Sequence, residues 1–296
     1  MAGRGPSLSD RLSVVIPTHN RPEALARLLA SIGRSEVAGD RPEVVVVDDG
    51  SDGRAYDEVM AAYPEVRWIR ETRSGPATAR NRGWRAATGE VVVFVDDDCV
   101  FDPDALDFLR KALATDDAVG ATIEPLHRGR LIADFMHAEH LVTHKVQDGN
   151  VRWLVTACLA VRRSALELVD GFDEQLVHGG EDVDLSLRLA SAGLRLSVSA
   201  EAVVRHDHRA GLGQLVRTYY RHGTGQRRLA ARHPGRRADL AHSARTRLSL
   251  AAWRETYASY RREEGRLTSL AFVALRLAMM VPWLIGAVRG AKPTAE

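Results

Sequence analysis

Cysteine is scarce in this 296-residue chain, with Cys99 and Cys158 the only two. Two thiols cannot build the disulfide framework on which small secreted domains rely, so a reducing cytoplasm is the expected setting. The N-terminus has no basic stretch followed by an apolar run, and no signal peptide is expected. Aromatic residues make up 6% of the chain, too few for an aromatic stacking platform among its C-terminal arginines. Without such a stacking platform no nucleic-acid partner is expected. Internal repeats and low-complexity tracts are also missing. What is left is the composition of an ordinary soluble globular protein, 45% hydrophobic and 27% charged. The length suits one large domain or one and a half.

The net charge of +2 hides an uneven distribution. Residues 1–200 carry 23 Lys and Arg against 32 Asp and Glu, a net of −9, while residues 201–296 carry 18 against 7, a net of +11. A basic C-terminal third suits phosphates, whether of a nucleotide, a lipid headgroup or a membrane surface, with a solvated arginine-rich surface as the alternative. Within it, "TSLAFVALRLAMMVPWLIGAVRG" at 268–290 has Arg276 as its only charge up to Val288. The length approaches a membrane span, yet Arg276 lies inside it and Pro282 interrupts the pattern. An interfacial helix, a packed helix pair and a true span all stay open. The flanking Arg261, Arg262, Arg266 and Arg289 favour anionic headgroups.

Strand and helix signals alternate over residues 12–115. "LSVVIPT" and "EVVVVDDGS" are strands, the second apolar on both faces as a covered parallel strand is. "RPEALARLLASI" places Leu25, Leu28, Leu29 and Ile32 on one helical face. Helices are expected in "RAYDEVMAAY", "GPATARNRGWRAAT" and "PDALDFLRKALA", and strands in "VRWIR" and at 91–95. This is a βαβ succession and a mostly parallel sheet, whose ligands bind at the carboxyl ends of the strands. Beyond it, "RLIADFMHAEHLVTHKV" reads as an amphipathic helix and "RWLVTACLAVRR" as a strand. "RSALELVDGF" and "EDVDLSLRLASAG" read as helices, "LRLSVS" and "AVVRHDH" as two further strands. After about residue 210 the chain turns helical and basic.

The carboxylates cluster at strand ends. Asp96, Asp97 and Asp98 follow a buried strand, where like charges repel and desolvation costs several kcal/mol. Oxygen donors of this kind suit Mg²⁺ or Mn²⁺ held against a substrate diphosphate. On an extended backbone Asp96 and Asp98 would point the same way and Asp97 elsewhere, though turn capping is the alternative. Asp48 and Asp49 suit a base or ribose, or equally the turn chemistry of "DDGSDG". Glu181 and Asp182 open a helix after two glycines, as capping acids or as a general base. His206 and His208 are candidates to complete a metal site, or structural histidines.

In this order and spacing, "LSVVIPTHNRPEAL", "VVVVDDGS", "ARNRGWRAATGEVVVFVDDDC", "DGFDE" and "GGEDVDLSLRL" resemble the family 2 glycosyltransferases over roughly residues 11–210. The resemblance implies the α/β GT-A fold of nucleotide-diphospho-sugar transferases: a mostly parallel central sheet flanked by helices, here with a helical C-terminal extension. The expected division is a glycosyltransferase domain at 1–210 and a basic helical region at 211–296. It further implies an inverting enzyme taking a nucleotide diphosphate sugar, most commonly a uridine one, to a hydroxyl-bearing acceptor such as a lipid-linked saccharide, a natural product or a peptide. By the same resemblance Pro17, Thr18, Asn20, Arg21, Asp49, Arg80, Asn81, Asp96 and Asp97 would bind the nucleotide sugar. Asp96 and Asp98 match the DXD motif that holds Mn²⁺ or Mg²⁺, and His206 a histidine reaching the metal or diphosphate. Asp182 matches the catalytic base, with Glu181 beside it.

Two absences narrow the expectation. The Gln-x-x-Arg-Trp motif and multiple spans of the processive synthases are missing; "RTYYRHGTGQRRLAAR" at 217–232 has no tryptophan. Single transfers follow, not polymerisation. "IPTHNRPE" lacks the glycine-rich loop of a sugar nucleotidyltransferase. A non-catalytic nucleotide-sugar-binding protein would be expected to have lost one of its acids. The expected location is the cytoplasm, with peripheral contact at the inner face of the plasma membrane.

Overall fold

The computed structural model describes residues 11–35, 37, 41–177, 179–208, 211–236, 254, 257–258, 260–261 and 266–289. Arg262 of the flanking arginines lies outside them, as does much of 237–265. The chain divides into two compact units. One draws its described residues from Met1–Leu126, Val142–Val177 and Glu181–Asp207, the other from His127–Leu141, His178–Gly180 and His208–Glu296.

The first unit begins with β1 (Leu12–Thr18), α1 (Pro22–Ile32), β2 (Glu43–Asp49), α2 (Asp57–Ala62), β3 (Arg67–Glu71), α3 (Pro76–Ala86), β4 (Val91–Val95), β5 (Cys99–Phe101), α4 (Ala105–Ala112) and β6 (Ala118–Pro125). Helix α5 (Leu131–Ala138) belongs to the second unit. The first unit resumes with β7 (Lys145–Gln147), β8 (Asn150–Trp153), β9 (Cys158–Arg162), α6 (Arg163–Val169), α7 (Glu181–Ser191) and β10 (Leu196–His206). Eight strands form one sheet in the order β3-β2-β1-β4-β9-β6-β10-β5, and β7 pairs with β8 apart from it. The β3-β2, β2-β1, β1-β4 and β6-β10 pairs are parallel; β4-β9, β9-β6 and β10-β5 are antiparallel.

Strand periodicity sorts the core. Val14, Ile16, Val91, Val93 and Val95 pack with Leu25, Leu28 and Ile32 of α1 and Leu106 and Leu109 of α4. Their neighbours Val15, Val92 and Phe94 point the other way, onto Ala79 and Trp84 of α3, Leu166 of α6 and Leu185 and Leu189 of α7. A strand buried on both faces must read as an unbroken apolar run, which is why "VVVFV" has no polar residue. Helix α3 comes so close that a Cβ on Gly83 would lie 2.2 Å from Val15 Cγ1.

Several elements differ from the sequence reading. The predicted helix at 130–146 stops at Ala138; His140 adopts positive φ, and a short hairpin of β7 and β8 follows. "RWLVTACLAVRR" is two strands, because Leu154–Ala157 form the link between β8 and β9. Strand β6 carries no clear alternation in sequence and was not anticipated. "LRLSVS" and "AVVRHDH" are one strand with a bulge between Ser199 and Val203.

The second unit contains α5, α8 (Leu212–Arg232) and α9 (Arg266–Arg289). Helix α9 continues through Pro282, which removes one backbone donor without ending it. Glu139 is buried here, accepting hydrogen bonds from Tyr219 Oη at 2.9 Å, from Tyr260 Oη, and from Arg276 Nη1 at 2.9 Å. The charge at the middle of α9 is thereby engaged inside the unit.

Candidate active site

The sheet's parallel register brings the acids together: Thr18 pairs with Asp48 as β1 and β2 end, and β4 runs alongside them into Asp96. Asp96–Asp98 form a turn and not an extended segment, because the Cys99 N–H donates to the Asp96 carbonyl at 3.1 Å. Asp96 therefore turns to one cation, and Asp97 and Asp98 together to another. Asp96 Oδ1 accepts from Arg80 Nη2 at 2.8 Å. Asp97 accepts from Thr18 Oγ1 at 2.7 Å and Arg21 Nη1 at 2.6 Å. Asp98 accepts from the same Arg21 nitrogen at 2.9 Å and lies 3.2 Å from His206 Nε2.

This arrangement sets the charges. Burial pushes the Asp97 carboxyl up to about 6 against the pull of Arg21, with Asp98 adding to the rise. Burial acts on Asp98 too, but His206 and Arg21 outweigh it and hold that carboxyl below its ordinary value. The His206 imidazole is desolvated, yet Asp98 raises it on balance. Tyr56 completes the cradle: its hydroxyl lies 2.7 Å from Thr18 Oγ1 and accepts the Arg21 N–H at 2.8 Å. Sequence reading missed Tyr56, which appears there only as one position in a helical stretch.

Arg80 spans two clusters. It is buried, donates Nη1 to Glu181 Oε1 at 3.0 Å and Nη2 to Asp96, and has its guanidinium over the Phe172 ring at 5.7 Å. Glu181 and Asp182 stand in the first turn of α7, where the helix dipole favours negative charge. With Glu181 committed to Arg80, the half-buried Asp182 is pushed up to about 7, first by desolvation and then by Glu181, against the Val183 N–H and Arg80. A carboxylate that titrates near neutrality suits proton abstraction.

Most of the other anticipated residues brace the surrounding loops. Asp49 accepts from the backbone of Ser74 at 2.7 Å and of Gly75 at 3.1 Å, fixing the start of α3. Asp48 accepts from the Ser51 N–H at 3.0 Å, the turn role open in sequence. Asn20 braces the same loop through Asp52 and Ser51. Asn81 clamps the "DGFDE" loop, donating to the Phe172 carbonyl and Glu174 and accepting from Trp84 Nε1 and the Phe172 N–H. Gly171 is required beside it: φ is 64°, and a Cβ would lie 2.5 Å from Asn81 Oδ1. Pro17 sits within β1 opposite Val47. His208 falls in the second unit, its ring 5.9 Å from that of His137.

For a metal, Asp98, Cys99 and His206 bring one potential ligand atom each within 4.8 Å of one another. The Cys99 thiol donates to the Ala157 carbonyl and is held protonated by burial. Carboxylate oxygen and imidazole are the donors that fit, and they suit a hard dication such as Mn²⁺ or Mg²⁺.

A family model described as Glycosyl transferase family 2 matches residues 13–169. The chain belongs to this family. Among the family's named members it is 34% identical over 284 residues to the pre-mycofactocin glycosyltransferase of Mycobacterium tuberculosis, covering 92% of this chain and 57% of that protein. It thus spans little more than half the length of that relative. It is also 30% identical over 310 residues to the N-acetylglucosaminyl-diphospho-decaprenol L-rhamnosyltransferase of the same organism, covering 89% and 98% of the two chains. Among solved structures, the mannosyltransferase PcManGT from Pyrobaculum calidifontis, in complex with GDP-Man and Mn²⁺, superposes with a TM-score of 0.62 at 22% identity, covering 96% of this chain and 88% of that one. S. aureus TarS 1-349 gives 0.53 at 21% identity, covering 93% and 81%. The chain has the GT-A fold that its sequence led one to expect.

Proposed function

We propose that this glycosyltransferase moves one sugar from a nucleotide diphosphate sugar, a uridine one by the family's commonest usage, onto an acceptor hydroxyl with inversion. The observation that carries this reading is Asp182, a carboxyl titrating near 7 beside a Glu181 already committed to Arg80. Asp182 takes the proton of the acceptor hydroxyl. The acceptor oxygen bonds to the anomeric carbon from the face opposite the nucleotide as the carbon–oxygen bond to the diphosphate breaks, leaving the negative charge on the nucleotide. One displacement needs no covalent sugar–enzyme intermediate.

Asp98 and His206, joined by Asp96 once it releases Arg80, would hold Mn²⁺ or Mg²⁺, which when bound neutralises charge developing on the leaving diphosphate. Thr18, Arg21 and Asp97 shape the nucleotide pocket, with Pro17, Asn20, Asp49, Arg80 and Asn81 around it. Residues 1–210 carry the reaction, and 211–296 form a basic region for peripheral attachment at the cytoplasmic face of the membrane. A lipid-linked acceptor accords with the decaprenol relative's name.

Asp182→Asn is the test. Transfer should fall about 10²–10⁴-fold, while calorimetric UDP binding with Mn²⁺ stays near that of the parent. Unchanged turnover would remove Asp182 as the base.

A further inference from the structure

Helix α9 has two unlike sides. Ser269, Phe272, Met279 and Gly286 are buried, and Arg276 between them is engaged by Glu139. The approach to α8 is close: a Cβ on Gly286 would lie 2.1 Å from the Tyr220 carbonyl oxygen, and one on Gly223 2.0 Å from that of Trp283. Opposite, Leu267, Leu270, Leu277, Val281, Leu284 and Val288 are exposed, from 45% at Leu284 to 84% at Leu267. Their spacings of three, four or seven residues align them along one side of the helix. The helix that carries the row has 24 residues and is about 36 Å long.

Single exposed leucines need no explanation, but a continuous row does. Three occupants fit an apolar row of this length, and its surroundings separate them. A helix seam with a second copy is narrow and bordered by polar positions that choose the partner. Here the residues beside the row, Ala271, Ala278 and Ile285, are apolar as well. A true span would carry α8 into hydrocarbon with α9, and α8 exposes Arg217, Arg221, Arg227 and Arg232, whose burial in lipid is expensive. The row instead ends in exposed Arg266 and Arg289. A broad apolar side with a cation at each end complements an anionic bilayer surface.

We propose that the exposed side of α9 is an in-plane docking surface for an anionic lipid bilayer, seated at the boundary of headgroups and acyl chains. This gives a surface and a lipid charge to the membrane attachment proposed above, and it holds or fails independently of the sugar chemistry.

The test is sedimentation of the full chain with phosphatidylcholine vesicles, with and without phosphatidylglycerol, lacking donor and metal. The chain should bind the anionic vesicles, release in alkaline carbonate, and bind the neutral ones at least tenfold more weakly. Leu277→Gln with Leu284→Gln should lower binding at least tenfold with the melting temperature held. Arg266→Gln with Arg289→Gln should remove most of the preference for anionic lipid. Absent vesicle binding overturns the proposal, as does resistance to carbonate, which would mean a span. So does a dimer that the leucine variants dissolve without any vesicle binding, which would make a second copy the occupant.

Discussion

The guanidinium of Arg80 lies 3.0 Å from the carboxylate of Glu181, inside the protein and across about a hundred residues of sequence. Its other arm holds Asp96, so the start of α7 and the turn after β4 share one cation. Removing one partner of such a buried pair leaves charges uncompensated, at about 3–5 kcal/mol. Arg80→Ala should lower the melting temperature and abolish transfer. Arg80→Lys, a point charge without the fork, should recover part of the stability and little of the activity.

The pH dependence follows from Asp182. In the proposed role of Asp182 the base must be ionised, so kcat/KM should rise with pH and level off above about 7. Its folded value exceeds the ordinary carboxylate value, so its contribution to stability is complete below that ordinary value and is lost as pH rises through about 7. Asp182→Asn should therefore raise the melting temperature more at about pH 8 than at about pH 5. Equal gains at both would contradict the raised value.

The proposed metal site distinguishes His206 from its neighbour Cys99. His206→Ala should weaken Mn²⁺ binding, read calorimetrically, by about tenfold or more. Cys99→Ser should leave it nearly unchanged, since that thiol is protonated and donates to a backbone carbonyl.

Gly83 tests the packing of α3 on the sheet. A methyl there meets Val15 and Val47, and Gly83→Ala should cost about 1–3 kcal/mol in chemical denaturation. A stabilising effect, as helix propensity alone would give, would contradict so close an approach.

Glu139 tests the second unit. Glu139→Ala removes the carboxylate that Arg276 and two tyrosines share, and should lose about 3–5 kcal/mol. Tyr219→Phe, which deletes one hydroxyl, should lose about 1 kcal/mol.

Elements whose own periodicity decides them were legible in the sequence: β1, β2, β4, α1 and α7 are strongly patterned, and Asp182 and the aspartate cluster stand at their ends. What was hidden depends on pairing. Strand β6 shows its role only once β9 and β10 flank it. Tyr56 looks like an ordinary helix residue until Thr18 arrives beside it, and the hold that Asn81 has on the Phe172 loop shows only once that loop is in place. The parting of Asp96 from Asp97 and Asp98 follows from a backbone turn that three identical residues cannot announce.

Strand β10 pairs Ser199 with Ala121 and Val203 with Thr122, so it advances four residues while β6 advances one. The slack is confined to the bulge, and beyond it the rungs run in step to His206, opposite Pro125 on one side and Cys99 on the other. Because side chains alternate between faces, losing one residue from the slack must either be taken up there or turn His206 away from Asp98. A length change at Ala200–Ala202 would then be felt chiefly as a lost imidazole, while the sheet around it stayed whole.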